Sequence, residues 1–404
     1  MDKFSVEQKT VLALLRASLW GSQEVLSTQI DWSAVETIAK AQAVIPLVYN
    51  GAVTTKAQMP EELNAKWKKA TVYGVVKNER LLSAQDQLVA CLDKSKISSV
   101  ILKGSSVSRY YPAPDLRCLG DIDILVSKED VQKATALILE LGYSMREADH
   151  DFHYGFSRKD AYVELHYDVT TLPDSVAGAR AGEEILRFLK EIRWAQLTSH
   201  TFPVLTETNQ ALSLLLHMVR HMYETGIGLR QMCDWMMFLA QTDADLFLHS
   251  ILPVLKYCGL QQYAMTATAV CVKYLGLSAQ QVPWCVVDGD LAAAFLECVF
   301  SGGNMGRAEG NTFSTLFTDT RKMGTEQSSC KAMIANLNVI SSQNFPNASK
   351  WRLLRPLLWV FLVMRYWIRS LGGKRKKIVF GNVIRGAKKH RELHAQMDPF
   401  GVDE

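Results

Sequence analysis

The sequence predicts an α+β protein: a small mixed sheet flanked by an N-terminal helical region and a large C-terminal helical domain. Three observations lead there. Residues 1 to about 95 carry helical periodicity, residues 96–180 switch to short β-branched runs alternating with helices, and from about 180 the helical period returns and persists to the C-terminus. Read this way, the chain divides into a helical region 1–95, an α/β core 96–180 and a helical domain 181–404 with a basic tail.

Each element has its own reason. DWSAVETIAKAQAVIPLVYNGA opens on Asp31, a good N-cap, and spaces Val35, Ile38, Ala39 and Ile45 helically, broken only by Gln42 and ending before Pro46. From Asn78, NERLLSAQDQLVACLDKSKI predicts a second amphipathic helix with Leu81, Leu82, Leu88, Val89 and Leu92 inward. SSVILKG is a short strand delivering the chain to a tight turn at Gly104. GDIDILV alternates Asp121, Asp123 and Leu125 against Ile122, Ile124 and Val126, so both aspartates share a strand face. KEDVQKATALILELGY predicts a helix ended by Gly142. HYGFSRKDAYVELHYDV predicts a hairpin turning at Lys159-Asp160, whose second strand puts Tyr162, Glu164, His166 and Asp168 on one face. Loops are expected at 301–312 and 341–350, and no repeat of fixed period is present.

Composition narrows the function classes. At 48% hydrophobic and 21% charged, the 404 residues can bury a sizeable core. A formal net charge of +4 is too small for a general nucleic-acid binder, so any polyanion site must be local. The eight cysteines are far apart with no C-x-x-C, which predicts reduced core residues, and the N-terminus lacks the form of a signal peptide; a cytoplasmic protein is expected. The stretch 353–377 joins an apolar run, Pro356 to Met364, to Arg365, Arg369 and Lys374–Lys377. The run is far short of the ~20 residues of a spanning helix. Its two readings are a buried core helix with a solvated tail, which is favoured, and a weak contact with an anionic membrane surface.

The acidic residues point to metal-dependent phosphoryl chemistry. Mg²⁺ prefers carboxylate oxygens, and Asp121 with Asp123 supplies two on one strand face; Glu164, on a neighbouring strand, is the candidate third. Gly104 lets backbone approach a phosphate closely, Ser105 adds a hydroxyl, and Lys103 and Arg117 are the nearest cations to pair with it. Each element alone is weak, since a D-x-D pair is most often a solvated strand face. Their order along the chain is the signal.

A Gly-Ser turn after a strand, D-h-D-h on the next strand and a carboxylate on a later one resembles the nucleotidyltransferase fold of the DNA polymerase beta superfamily. More closely, ILKGSSVSRYYPAPDLRCLGDIDILVSKEDVQKATALILELGY and YVELHYDV are similar to an uncharacterised bacterial nucleotidyltransferase family, the NTP transferase 5 type. The likeness extends over about residues 30–240, through IAKAQAVIPLVYNGA and LLLHMVRHMYETGIGLRQMCDWMMFLA. The resemblance implies that Gly104 and Ser105 hold the triphosphate, that Asp121 and Asp123 bind metal and that Glu164 completes the triad. It implies Mg²⁺ or Mn²⁺ as cofactor and an NTP such as ATP as substrate, and it leaves the acceptor open among small molecule, protein and tRNA. Fifteen residues separate Ser105 from Asp121, more than the superfamily's usual interval, so YYPAPDLRC is expected to loop out and to shape the site around Arg117.

In the helical domain His217 and His221, four apart, share a helix face, as do Arg230 and Asp234. A zinc site lacks the glutamate of H-E-x-x-H and a third ligand. A buried helix–helix contact and a role in holding acceptor or phosphate both stand. His166 shares a face with Glu164 and is read as a partner to it, a proton acceptor for the substrate hydroxyl, or a surface histidine. A toxin-like nucleotidyltransferase acting on tRNA or protein and a non-catalytic nucleotide-binding module are the rival functions.

Overall fold

The computed structural model describes residues 3–150, 152–159, 161–224 and 226–304, and short stretches beyond, of which 354–361 and 392–401 are the longest. Most of the expected loops 301–312 and 341–350, the basic tail and Cys330 lie outside the described residues.

The fold class is as expected. Helices α1 (Val6–Trp20), α2 (Trp32–Ala41), α3 (Ile45–Thr54) and α4 (Glu61–Lys94) precede a seven-stranded mixed sheet. Its strands are β1 (Ser99–Ile101), β2 (Ile122–Val126), β3 (Ser144–His150), β4 (His153–Arg158), β5 (Ala161–His166), β6 (Ile192–Leu197) and β7 (His200–Leu205). They lie in the order β3-β4-β5-β2-β1-β7-β6, with the pairs β2–β5 and β1–β7 parallel and the rest antiparallel. The short turn α5 (Ser105–Ser108), α6 (Val131–Glu140) and α7 (Val176–Ile185) are interleaved with the strands, and α8 (Glu207–Glu224) and α9 (Leu229–Ala240) open the helical body.

Several expectations need correction. The stretch from Asp31 to Pro46 is two helices: Asp31 caps α2 as expected, but Pro46 sits in the first turn of α3, where its missing N–H costs nothing. Gln42, at the break, is buried and satisfied, its amide donating to the Val299 carbonyl at 3.0 Å and accepting from the Leu229 N–H at 2.7 Å. The Gln42 side-chain oxygen thus caps the first turn of α9. The second helix begins at Glu61, well before Asn78. The helical period expected from 180 onward is interrupted by the β6–β7 hairpin, which pairs with β1 through Ile101 and Val204. Strand β3, at the opposite edge of the sheet, was also unread, because Ser-Met-Arg-Glu-Ala-Asp-His carries no apolar alternation.

Strand alternation then sorts the side chains into two cores. Ile101, Ile122, Ile124 and Val126 pack with Leu81, Leu88 and Leu92 of α4 and Ile138 of α6. Val100, Leu102 and Leu125 face the other way, into the larger core with Leu214, Leu215 and Met232 of α8 and α9. Asp123 belongs to the second set by parity, so the acidic strand face looks at the helical body. At the far end of the chain, Leu357, Val360, Phe361 and Met364 are exposed, which contradicts a buried core helix at that stretch. Among the described residues, no helix is long and apolar enough to cross a membrane.

Candidate functional site

The parallel register of β2 and β5 sets Asp123 directly opposite Glu164. Cross-strand partners project to the same face, and Asp121, two residues earlier, follows Asp123 there. Lys103 follows β1, which is hydrogen-bonded to β2 through the Leu102 N–H and Asp123 carbonyl, and its Nζ lies 2.8 Å from Asp123 Oδ1. Gly104 then turns the chain at φ 62°, a conformation open to glycine.

His166 lies under the carboxylates, fully buried. Its Nε2 is 3.1 Å from Asp123 Oδ1 and 3.3 Å from Glu164 Oε2, and its Nδ1 is 3.3 Å from the Asp168 carbonyl. Both nitrogens face oxygen acceptors, an environment that favours a charged ring. Burial opposes that charge, but the bonds to Asp123 and Glu164 outweigh it and raise the pKa. The surface-histidine reading is thereby corrected.

Charge is arranged unequally among the acids. Burial pushes Asp121 up to about 6, with the charges of Asp123 and Glu164 adding to it. Asp123 is more deeply buried, yet Lys103 and His166 hold it well below the usual carboxylate range. Lys103 in turn loses solvation, but Asp123, Glu164 and Asp121 raise its pKa. Ligand atoms of Asp123, Glu164 and His166 lie within 4.8 Å of one another, a spacing that can hold a metal ion. The two carboxylates of that group are the oxygen donors a hard divalent cation prefers; Asp121 is not in the group but is close enough to feel the charges of Asp123 and Glu164.

The insert YYPAPDLRC does not loop out. Tyr110, Tyr111 and Arg117 are buried. Asn78 of α4 donates to the Asp115 and Arg117 carbonyls, both at 3.0 Å, and accepts from the Leu119 N–H. Arg117 reaches across to Asp234 of α9 as a fork, Nε to Oδ1 at 3.1 Å and NH2 to Oδ2 at 2.7 Å, while Tyr111 donates to Oδ1 at 2.7 Å. Burial lowers and Asp234 raises the Arg117 pKa, with a net rise. The insert is thus sewn between α4 and α9, and its extra length is what lets Arg117 make that reach.

Between the sheet face and α8–α9 lies an open cleft. Lys103, Gly104, Asp121, Asp123 and Glu164 form its sheet wall. His217, Arg220 and His221 from α8 and Arg230 and Asp234 from α9 form the other, with Arg117 between. Ser105 is not in either wall: it is 2% exposed and its hydroxyl bonds Gln85 Oε1 of α4 at 2.5 Å. The two α8 histidines meet edge to face at 4.3 Å, and burial with nearby cations pushes both down, His221 to about 3. Among the described residues no third ligand completes a metal site around them.

Tyr111, Asn78 and His153 are parts of this arrangement that the sequence motifs did not single out. Arg220, beside the histidine pair, lies over the Phe152 ring at 4.2 Å, and His153 Nε2 is 4.0 Å from Glu164 Oε1. Asn78 reads in the sequence as a helix start; it is the structure that runs α4 through it and gives its side chain tertiary partners.

No curated protein matches this chain. A family model described as an uncharacterised nucleotidyltransferase matches residues 28–276, more than half of the sequence and through the whole of both cleft walls. By that match, the chain belongs to the uncharacterised nucleotidyltransferase family.

Proposed function

We propose that this protein transfers a nucleoside monophosphate from an NTP to an acceptor oxygen or nitrogen, releasing pyrophosphate, in the cytoplasm. The observation that carries the reading is the in-register Asp123–Glu164 pair, joined by Asp121, facing a cleft whose other wall is cationic. Asp121, Asp123 and Glu164 would hold Mg²⁺ or Mn²⁺, which supplies charge neutralisation at the phosphates. His166 orients two of those carboxylates by donating to both. The cleft walls hold the nucleotide against the acceptor and exclude water, so the chain's share of catalysis is positioning and fixed charge. The new bond joins the acceptor atom to the α-phosphorus as the bond to the bridging oxygen breaks.

The acceptor, whether small molecule, protein or tRNA, is to be found by labelling. Incubation with each α-labelled NTP, Mg²⁺ or Mn²⁺ and a cell lysate should mark it, and Asp121→Asn with Asp123→Asn should abolish the label. Unchanged labelling by the double variant removes the assignment. Label on tRNA, with growth arrest on expression that the acidic pair controls, would point to the toxin-like form. Tight metal-independent NTP binding without label would point to a non-catalytic module. The exposed apolar face at 357–364, beside the basic residues that follow it in sequence, supports testing a membrane-surface contact by liposome flotation.

A further inference from the structure

The glycine-serine turn was expected to receive the triphosphate, but little of it is available. The Ser105 hydroxyl is spent on Gln85, and α5 is four residues long, too short to sum a useful dipole. Gly104 offers backbone alone.

The opposite wall has the reverse character. Both oxygens of Asp234 are taken, one by Tyr111 and Arg117 Nε, the other by Arg117 NH2. Arg230, one helical turn earlier on α9, is therefore left with no carboxylate at ion-pair distance among the described residues, and its Nε–H has no acceptor. Burial and the neighbouring Arg117 push its pKa down by more than Asp234 and Asp121, neither at ion-pair distance, restore. Such a guanidinium is costly to keep unless a ligand brings the missing charge. Next to it His217 and His221, held neutral, add hydrogen-bonding capacity without adding charge.

Resting on the nucleotidyl-transfer reading, we propose that the pyrophosphate portion of the NTP is received by the α8–α9 wall, with Arg230 as its principal partner and His217 and His221 beside it in the same wall. The two walls then divide the substrate. The acids face the phosphorus under attack, and Arg230 faces the leaving group. As the bridging P–O bond breaks, its electron pair stays on pyrophosphate, and a fork of N–H groups placed there meets charge as it develops. The same chemistry would accept a phosphate carried by the acceptor, so the experiment must separate the two.

The test is calorimetric titration of the full chain with inorganic pyrophosphate and, separately, with a simple phosphomonoester, with and without Mg²⁺. Wild type should bind pyrophosphate at least tenfold more tightly than the monoester. Arg230→Gln should weaken pyrophosphate by about 10- to 100-fold, the range for hydrogen bonds to charged groups, and Arg230→Lys by less. The Arg230→Gln chain should melt no lower than wild type, because it loses a cation with no partner; a purely structural arginine would instead lower the melting temperature. Ser105→Ala tests the rival location. Equal pyrophosphate affinity in Arg230→Gln, no binding by wild type at millimolar pyrophosphate, or a larger loss in Ser105→Ala overturns the proposal. Monoester binding as tight as pyrophosphate, and equally dependent on Arg230, also overturns it by moving the site to the acceptor. If wild type binds pyrophosphate through Arg230 yet labels nothing from any NTP, this inference stands and the transfer reading falls. If labelling persists while Arg230→Gln leaves pyrophosphate affinity and KM for NTP unchanged, the reverse holds.

Discussion

Lys103–Asp123 and Arg117–Asp234 are both short ion pairs in one cleft, at 2.8 and 2.7 Å, but they are built for different tasks. The lysine is a single point charge among three carboxylates, and its partner oxygen is also shared with His166. The arginine is a planar fork that fills both oxygens of one carboxylate, with Tyr111 completing the set. A point charge can give way to a divalent cation, whereas a fork leaves nothing to exchange. The first pair is therefore suited to the proposed chemistry and the second to the frame that carries it.

Breaking the frame should cost most. Asp234→Ala leaves Arg117 charged and buried, so a loss of about 3–5 kcal/mol in stability is expected by chemical denaturation. Replacing both partners, Arg117→Met with Asp234→Leu, should recover most of it. If the single variant loses less than about 1 kcal/mol, the pair is not the frame described here.

Breaking the acidic pair should read out in activity. Asp123→Asn removes the carboxylate that Lys103 and His166 address and that would hold the proposed metal, and labelling should fall by on the order of 10²- to 10³-fold. A fall in labelling no larger than the fall in folded protein would erase the distinction between the pairs. Lys103→Met is a smaller perturbation of the same oxygen. With the competing ammonium gone, Mn²⁺ binding at low salt should tighten by roughly tenfold, and unchanged or weaker binding would show that lysine and metal do not share Asp123.

How much of this was legible beforehand follows the same line. The acids, the glycine turn and the hairpin are local patterns of period two, and the sequence displays them directly. Register is also partly local, since Asp123 and Glu164 needed only adjacent strands to meet. The pairing of Arg117 with Asp234 spans 117 positions and depends on where α9 lies, which no local period encodes. Ser105 misled for a related reason: the turn has the right residues, but Gln85, on a helix twenty residues earlier, takes the hydroxyl. The β6–β7 hairpin was lost because Ile-Arg-Trp-Ala-Gln-Leu mixes exposed and half-buried positions at a sheet edge.

A third charged cluster, outside the cleft, marks the low end of the scale. His200, at the β6–β7 turn, places Nδ1 2.6 Å from Asp86 and Nε2 3.2 Å from Glu79, both on α4. Its carboxylate partners are far more exposed than Asp123 or Asp234, at 62% for Glu79 and 41% for Asp86, so screening reduces what the cluster can contribute. Burial works against the charged ring, but Asp86 and Glu79 outweigh it and raise the pKa above the ordinary histidine value. A raised folded-state pKa means that the folded chain holds its proton more tightly than the unfolded one. The stabilisation is then full below the unfolded value of about 6.5 and is lost as pH rises through the folded value. Wild type should exceed His200→Asn by about 0.5–1 kcal/mol at pH 5.5 and by much less at pH 9, measured by urea denaturation. A difference that does not change between those pH values would mean that His200 holds the hairpin to α4 by packing and neutral hydrogen bonds, and that charge pairing in this fold matters where water has been excluded.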